Sequence, residues 1–146
     1  MVKFFKEFIS SGIVKKVKKD LNRAKNLAIE AKRKISSLKE KLEKIGVKDE
    51  NANDNVEHCY DIIMFLVRSK ILLRGFNASG FGAHEAEISY MRYLGFNEKD
   101  VQFVDKMRYF RNGILYYGTR LDKEYAEKVI LFTKENYIKL KNIVEK

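Results

Sequence analysis

Apolar positions recur along this chain in steps of three and four, the spacing that gathers side chains on one face of a helix. The longest run joins Val14, Val17, Leu21, Ala24, Ala28, Ala31, Ile35, Leu38, Leu42 and Ile45 without a miss. It predicts a single first helix over 11–45, a heptad seam roughly 50 Å long at about 1.5 Å per residue, stopped by Gly46. Small alanines at its centre let another helix come close, either within the bundle or across a dimer.

Ahead of this seam, Phe4, Phe5, Phe8 and Ile9 make a short amphipathic segment over 1–10, closed by Ser10-Ser11-Gly12. Beyond it, a polar stretch over 48–55 offers Asn53 or Asp54 as N-cap for a helix over 56–74. There Ile62 to Val67 and Ile71 to Leu73 are apolar nearly all round, which marks the central helix of the fold. Arg68 and Arg74 interrupt that face, and their heads are expected to snorkel to the surface. Gly75-Phe76-Asn77 and Gly95-Phe96-Asn97 repeat one stop signal: a C′ glycine, a phenylalanine that packs back, and an asparagine that starts the next element.

Between these stops lies a short helix over 83–94 with Ile88, Met91 and Leu94 inward. Asn97 caps the next helix, whose apolar stripe is Phe103, Met107, Phe110, Ile114 and Tyr117, ending at Gly118. Asp122 caps the last, with Ala126, Ile130, Thr133, Tyr137, Leu140 and Val144 inward. The glycine-rich loop 78–82 follows a predicted helix rather than a strand and lacks a Lys-Ser/Thr, so it is not a P-loop.

Composition sharpens this picture. The chain of 146 residues has no proline, the commonest helix breaker, and strand-like alternation is hard to find. The expectation is one all-α domain spanning 1–146, a five-helix up-and-down bundle with a very long first helix. The single Cys59 excludes an intramolecular disulfide framework and, without CxxC pairs, leaves no zinc site. Cys59 reads as a small core residue. The N-terminal segment is too short and too charged for a signal peptide, and no run approaches a membrane span. A soluble, cytoplasmic protein without membrane contact is expected.

The formal charge is +10, of which 15–44 supplies +8 from twelve basic and four acidic side chains. So local a basic field suggests an anionic partner, nucleic acid first and an anionic membrane surface second. A solvated lysine-rich helix face explains the same residues equally well.

The chemistry-bearing stretch is Arg108 to Gly118. Arg108, Arg111 and Asn112 lie off the apolar stripe, and Tyr116 follows Asn112 by four residues, which stacks the two on one face. A core does not need these residues. Taken alone, Arg108 and Arg120 read as solvated charges. Mid-helix Gly113 costs about 1 kcal/mol relative to alanine, which suggests close helix approach across a symmetry axis. His84 reads as a surface or first-turn histidine and His58 as part of the buried helix. The pairs Glu57-His58 and His84-Glu85 are adjacent, the wrong spacing for a metal, so neither metal nor cofactor is expected.

Arg111-Asn112-Gly113-Ile114-Leu115-Tyr116-Tyr117-Gly118, preceded by the 84–94 helix and followed by Leu121-Asp122-x-Glu124-x-Ala126, resembles the HEPN (higher eukaryotes and prokaryotes nucleotide-binding) family. The resemblance covers 56–144 strongly and the first helix in outline. It implies a dimer that cleaves RNA without metal at a site shared by two protomers, as some toxins of toxin–antitoxin pairs do, or that partners a minimal nucleotidyltransferase. By that resemblance Arg111, Asn112 and the residue at 116 are catalytic, with Arg108 and Tyr117 adding to RNA or nucleotide binding.

The family's motif histidine is absent: positions 116, 117 and 118 are Tyr116, Tyr117 and Gly118. An unperturbed tyrosine is ionised in about one part per thousand at pH 7, and lowering its pKa by three units needs roughly 4 kcal/mol. Tyr116 can still stack on a base or donate to phosphate, and Arg111 can grip phosphate without a partner. The expectation is therefore a HEPN-like RNA- or nucleotide-binding dimer with weak or lost nuclease activity. Its enzymatic alternative is a nuclease in which Tyr116 or His84 stands in.

Overall fold

The computed structural model describes all 146 residues. Six α-helices follow in chain order: α1 (Phe5–Ser10), α2 (Leu21–Lys44), α3 (Ala52–Leu73), α4 (Ala83–Ser89), α5 (Glu98–Tyr117) and α6 (Lys123–Glu145). Short 3₁₀ turns precede α3 at Asp49–Asn51 and follow α4 at Tyr90–Leu94. The one departure from helix is a ribbon of two three-residue strands, β1 (Val14–Lys16) and β2 (Phe76–Ala78), paired antiparallel.

α3 is the central helix, as its apolar run predicts. α2, α4, α5 and α6 all pack on it, and Val56, Cys59, Ile62, Ile63, Met64, Leu66, Val67 and Ile71 are buried. Each large aliphatic side chain there is worth about 1.5–3 kcal/mol relative to exposure. The α6 stripe Ala126, Ile130, Thr133, Tyr137, Leu140 and Val144 is buried as expected, as are Ile88, Met91 and Leu94. Asn97 and Asp122 cap α5 and α6 by accepting from the Asp100 and Tyr125 amides at 2.9 and 2.8 Å.

The long first helix does not form as predicted. α2 begins at Leu21, where Asp20 accepts from the Arg23 amide at 3.0 Å, so it spans about 36 Å at 1.5 Å per residue. The first positions of the seam belong elsewhere: Val14 is buried in β1, while Val17 and Leu21 are exposed. Pairing with β2 wins over helix here because it satisfies the backbone of both segments, extended by the Val17 amide donating to the Gly75 carbonyl at 2.8 Å. A strand of three residues is too short to show alternation in the sequence.

Other expectations shift in instructive ways. α3 starts at Ala52, with neither Asn53 nor Asp54 at its cap. Asn53 instead braces the α5–α6 connection, donating to the Thr119 carbonyl at 2.9 Å and accepting from the Leu121 amide at 2.8 Å. The N-terminal segment belongs to the core: Val2, Phe5 and Phe8 are buried, and Phe5 meets Phe76, Tyr90 and Tyr93 edge-on. Arg92 closes over it, donating to the Val2 and Lys3 carbonyls while paired with Glu98. Gly113 needs no symmetry axis. A Cβ there would stand 2.7 Å from Oγ1 of Thr119 in the same chain, whose amide also donates to the Gly113 carbonyl.

Candidate nucleotide-binding site

The site forms where the C-terminal half of α5 passes the start of α4 and the middle of α3. Its stripe leaves the core at the last turn: Met107 is buried and Phe110 and Ile114 pack against the core, but Tyr117 is 86 % exposed. Phe110 meets Tyr125 of α6 edge-on, which fixes the rotation of α5. That rotation turns Arg108, Asn112 and Tyr116 toward the loop before α4. Together with Gly80, Phe81, Gly82, Ala83, His84 and Glu85 they line a groove of about 280 Å³. The loop follows β2 and not a helix, though it still lacks the Lys-Ser/Thr of a P-loop.

Arg111 lies one step around the helix and inward. Its guanidinium carbon sits 5.5 Å from the centre of the Tyr60 ring, within cation–π reach, and its Nε is buried without a hydrogen-bond partner. Tyr60 in turn approaches Nδ1 of His84 with its hydroxyl at 3.4 Å. Arg111, Tyr60 and His84 therefore run as a chain from the helix interior to the groove. Tyr117 joins neither group.

The charges around this chain are unequal in what remains to be satisfied. Arg68, expected to snorkel outward, is drawn in instead and grips buried Glu87 bidentately at 2.5 and 2.9 Å. That pairing holds its pKa up against burial. Arg108 is held by Asp105 one turn earlier at 2.8 Å. Arg111 has a softer counter-charge in Glu57, whose carboxyl is pushed up by burial and pulled back by the Arg111 cation. Of the three arginines it is the one that makes no hydrogen bond within the chain, its Nε buried without a partner, which suits an incoming anion.

His84 was the residue the sequence ranked low, and the structure places it in the groove. Partial burial lowers its pKa, and the Arg68, Arg111 and Arg108 cations lower it further against the pull of Glu87. Its imidazole is thus neutral at pH 7. Burial raises the pKa of Tyr60 well above the usual phenol value, so Tyr60 keeps its proton. The Tyr60 hydroxyl and Nδ1 of His84 stand 3.4 Å apart, so the two rings face each other across a hydrogen bond whose donor follows the His84 tautomer.

Comparison of the chain with family models, with curated proteins and with solved structures finds no match. What the site does must be read from its geometry. No group of three or more His, Cys, Asp or Glu side chains is placed to hold a metal ion, and no helix is long and apolar enough to cross a membrane. Cys59 is buried, its thiol pushed up to about 11 by burial, which leaves it inert at neutral pH.

Sequence reasoning missed Tyr60 altogether and ranked His84 low. Tyr60 carries no local signal, since its position opposite Arg111 depends on how α3 and α5 cross. A signal for His84 existed, since it follows a glycine-rich loop, but only the fold brings position 84 to position 112.

Proposed function

We propose that this chain is a HEPN-like helical protein that binds RNA or a nucleotide at the C-terminal half of α5, as a homodimer, with nuclease activity weak or lost. The observation that carries the reading is Arg111: half-buried over Tyr60, its Nε unpaired, beside an Asn112 that opens on the groove. The Nη groups at the end of that guanidinium make no hydrogen bond within the chain, and a phosphate oxygen is the charge-assisted partner that suits them. Arg108 at the groove wall adds a second cation, and Asn112 a paired donor and acceptor.

Cleavage by a 2′-hydroxyl needs a proton acceptor, and where the resembled motif carries a histidine this chain has Tyr116. Tyr116 is 76 % exposed, and Nδ1 of His84 faces the Tyr60 hydroxyl at 3.4 Å. Both serve binding better than catalysis. Homodimerisation is supported by the exposed apolar surface of Tyr109, Leu115, Tyr116 and Tyr117 on the same half of α5, residue types enriched at interfaces.

One observation favours the enzymatic alternative, a metal-independent endoribonuclease: a neutral histidine does lie within the groove that holds Arg108 and Asn112. The test is single-stranded RNA incubated in EDTA with wild type, Tyr116→His and His84→Ala. Wild type is expected to bind and leave the RNA intact. Cleavage by wild type that disappears in His84→Ala would establish the alternative. No binding by any of the three would remove the nucleic-acid reading and leave an interaction protein, such as the partner of a minimal nucleotidyltransferase.

A further inference from the structure

Phe81 is 101 % exposed, the most exposed large apolar side chain in the chain. Its segment is not loose. The Ser79 amide donates to the Ile13 carbonyl at 3.0 Å, the Ala83 amide to the Gly80 carbonyl at 3.2 Å, and the Ala86 amide to the Gly82 carbonyl at 3.0 Å. Glycines on both sides, at φ of 80° and 88°, let the backbone turn sharply enough to aim the ring outward. Gly82 also sits tight against Ile13, where an added Cβ would stand 3.2 Å from its Cδ1. The ring is therefore held in water by an anchored turn.

What it faces gives the exposure a purpose. Phe81 lines the same groove as Tyr116, itself 76 % exposed, together with Arg108, Asn112 and His84. Aromatic side chains are the usual platforms for unpaired bases, every base having a π-face to stack. An Asn amide matches the N6/N7 edge of adenine, and an arginine beside it suits the attached phosphate. At about 280 Å³ the groove lies at the small end of ligand sites, room for one base and not for a helix.

We infer that Phe81 and Tyr116 form a stacking site for one unpaired purine base of a single-stranded RNA or nucleotide, its edge read by Asn112 and its phosphate directed to Arg108 and Arg111. This rests on the RNA-binding reading above and adds the ligand's class: single-stranded, never duplex, with adenine preferred. A paired base presents no free face to two rings.

The chain has no tryptophan, so Phe81→Trp introduces a sole indole at the site. Titrating that variant with AMP and with a ten-residue oligo(A) RNA should quench and shift its emission, while a duplex of the same length should not. Alongside, Phe81→Ala should weaken oligo(A) binding by about 5- to 100-fold, the range expected of one stacked base, and Phe81→Tyr should restore it. If Phe81→Ala binds oligo(A) as wild type does while Arg111→Ala does not, the stacking site is wrong and the RNA-binding reading stands. If wild type binds neither AMP nor oligo(A), both fall. If Phe81→Ala loses single strand and duplex alike and changes oligomeric state, the ring belongs to a protomer contact and the inference is overturned.

Discussion

Helix α2 and the end of α5 are both basic, and they use their charge in opposite ways. Most of the net +10 lies in 15–44, on side chains that stand in water. Of the α2 ion pairs, Arg33 with Glu30 at 3.3 Å and Lys44 with Glu40 at 2.8 Å are exposed and close along the same helix, and the one that reaches α3, Lys34 with Asp61, is long at 3.8 Å. Such pairs contribute little. The α5 end carries fewer charges, and contacts order them: Asp105 of the same helix holds Arg108 at 2.8 Å, and Arg111 lies over Tyr60 of α3. Charge density sets the long-range field, whereas preorganisation makes a site, and here the two are separated on the molecule. α2 is held to α3 by His58 and Ser69, which bond the Lys34 and Ala24 carbonyls at 2.7 Å each. Glu57, Tyr60 and Arg68 on the same helix serve the α4–α5 side.

The largest effect should come from the pair beneath the site. Glu87→Ala leaves the Arg68 guanidinium without its buried carboxylate, and a loss of about 3 kcal/mol is expected, read by urea denaturation. An unchanged midpoint would show that Arg68 simply swings to solvent. Next, Lys25→Ala/Lys32→Ala/Lys39→Ala on α2 should lower RNA affinity only at low ionic strength and equally for single strand and duplex, since these lysines act as screened field. A selective loss for single strand at 0.15 M salt would place the site on α2 instead.

Gly113→Ala brings a smaller change. Helix propensity favours alanine by about 1 kcal/mol, but the new methyl meets Oγ1 of Thr119 at 2.7 Å. The variant should therefore gain nothing and lose up to about 1 kcal/mol, with Thr119→Ala in the same chain recovering stability; thermal melts of the three proteins decide it. A stabilised Gly113→Ala alone would mean that Thr119 yields freely.

The smallest effect is acid sensitivity. Burial lowers the pKa of both His58 and His84 below 6.5, so the unfolded chain binds more protons than the folded one as pH falls below 6.5. Stability should decline through that window and level once the folded pKa values are passed. His58→Gln, which keeps a donor for the Lys34 carbonyl, should flatten the decline in a melting series from pH 7 to pH 5.

How legible all this was in the sequence varied by element. Periodicity alone identified α3, α5 and α6, because each buries a stripe that has no competing use, and the caps Asn97 and Asp122 stand where their residue types predict. It failed over 14–20, where Val14 and Val17 keep helical spacing with the seam beyond yet Val14 enters a strand. The competing interaction, pairing with Phe76–Ala78, lies sixty residues away and leaves no local trace. The site followed the same division. Arg108, Arg111, Asn112 and Tyr116 were visible on one helix, while Tyr60, His84 and Phe81 reach them only through the packing of α3 and the turn before α4.

The central claim is that Arg111 is the anion-gripping residue of a preorganised site. The most direct measurement is the salt dependence of single-stranded oligo(A) binding by wild type and Arg111→Ala, followed by fluorescence anisotropy between 50 and 300 mM salt. The account predicts at least about tenfold weaker binding by the variant at 0.15 M, as for a charge-assisted hydrogen bond of about 1.5–3 kcal/mol. It also predicts a slope of log affinity against log salt shallower by about 0.7 for the lost phosphate contact. Equal affinity and equal slope would contradict it and return Arg111 to a purely structural role over Tyr60.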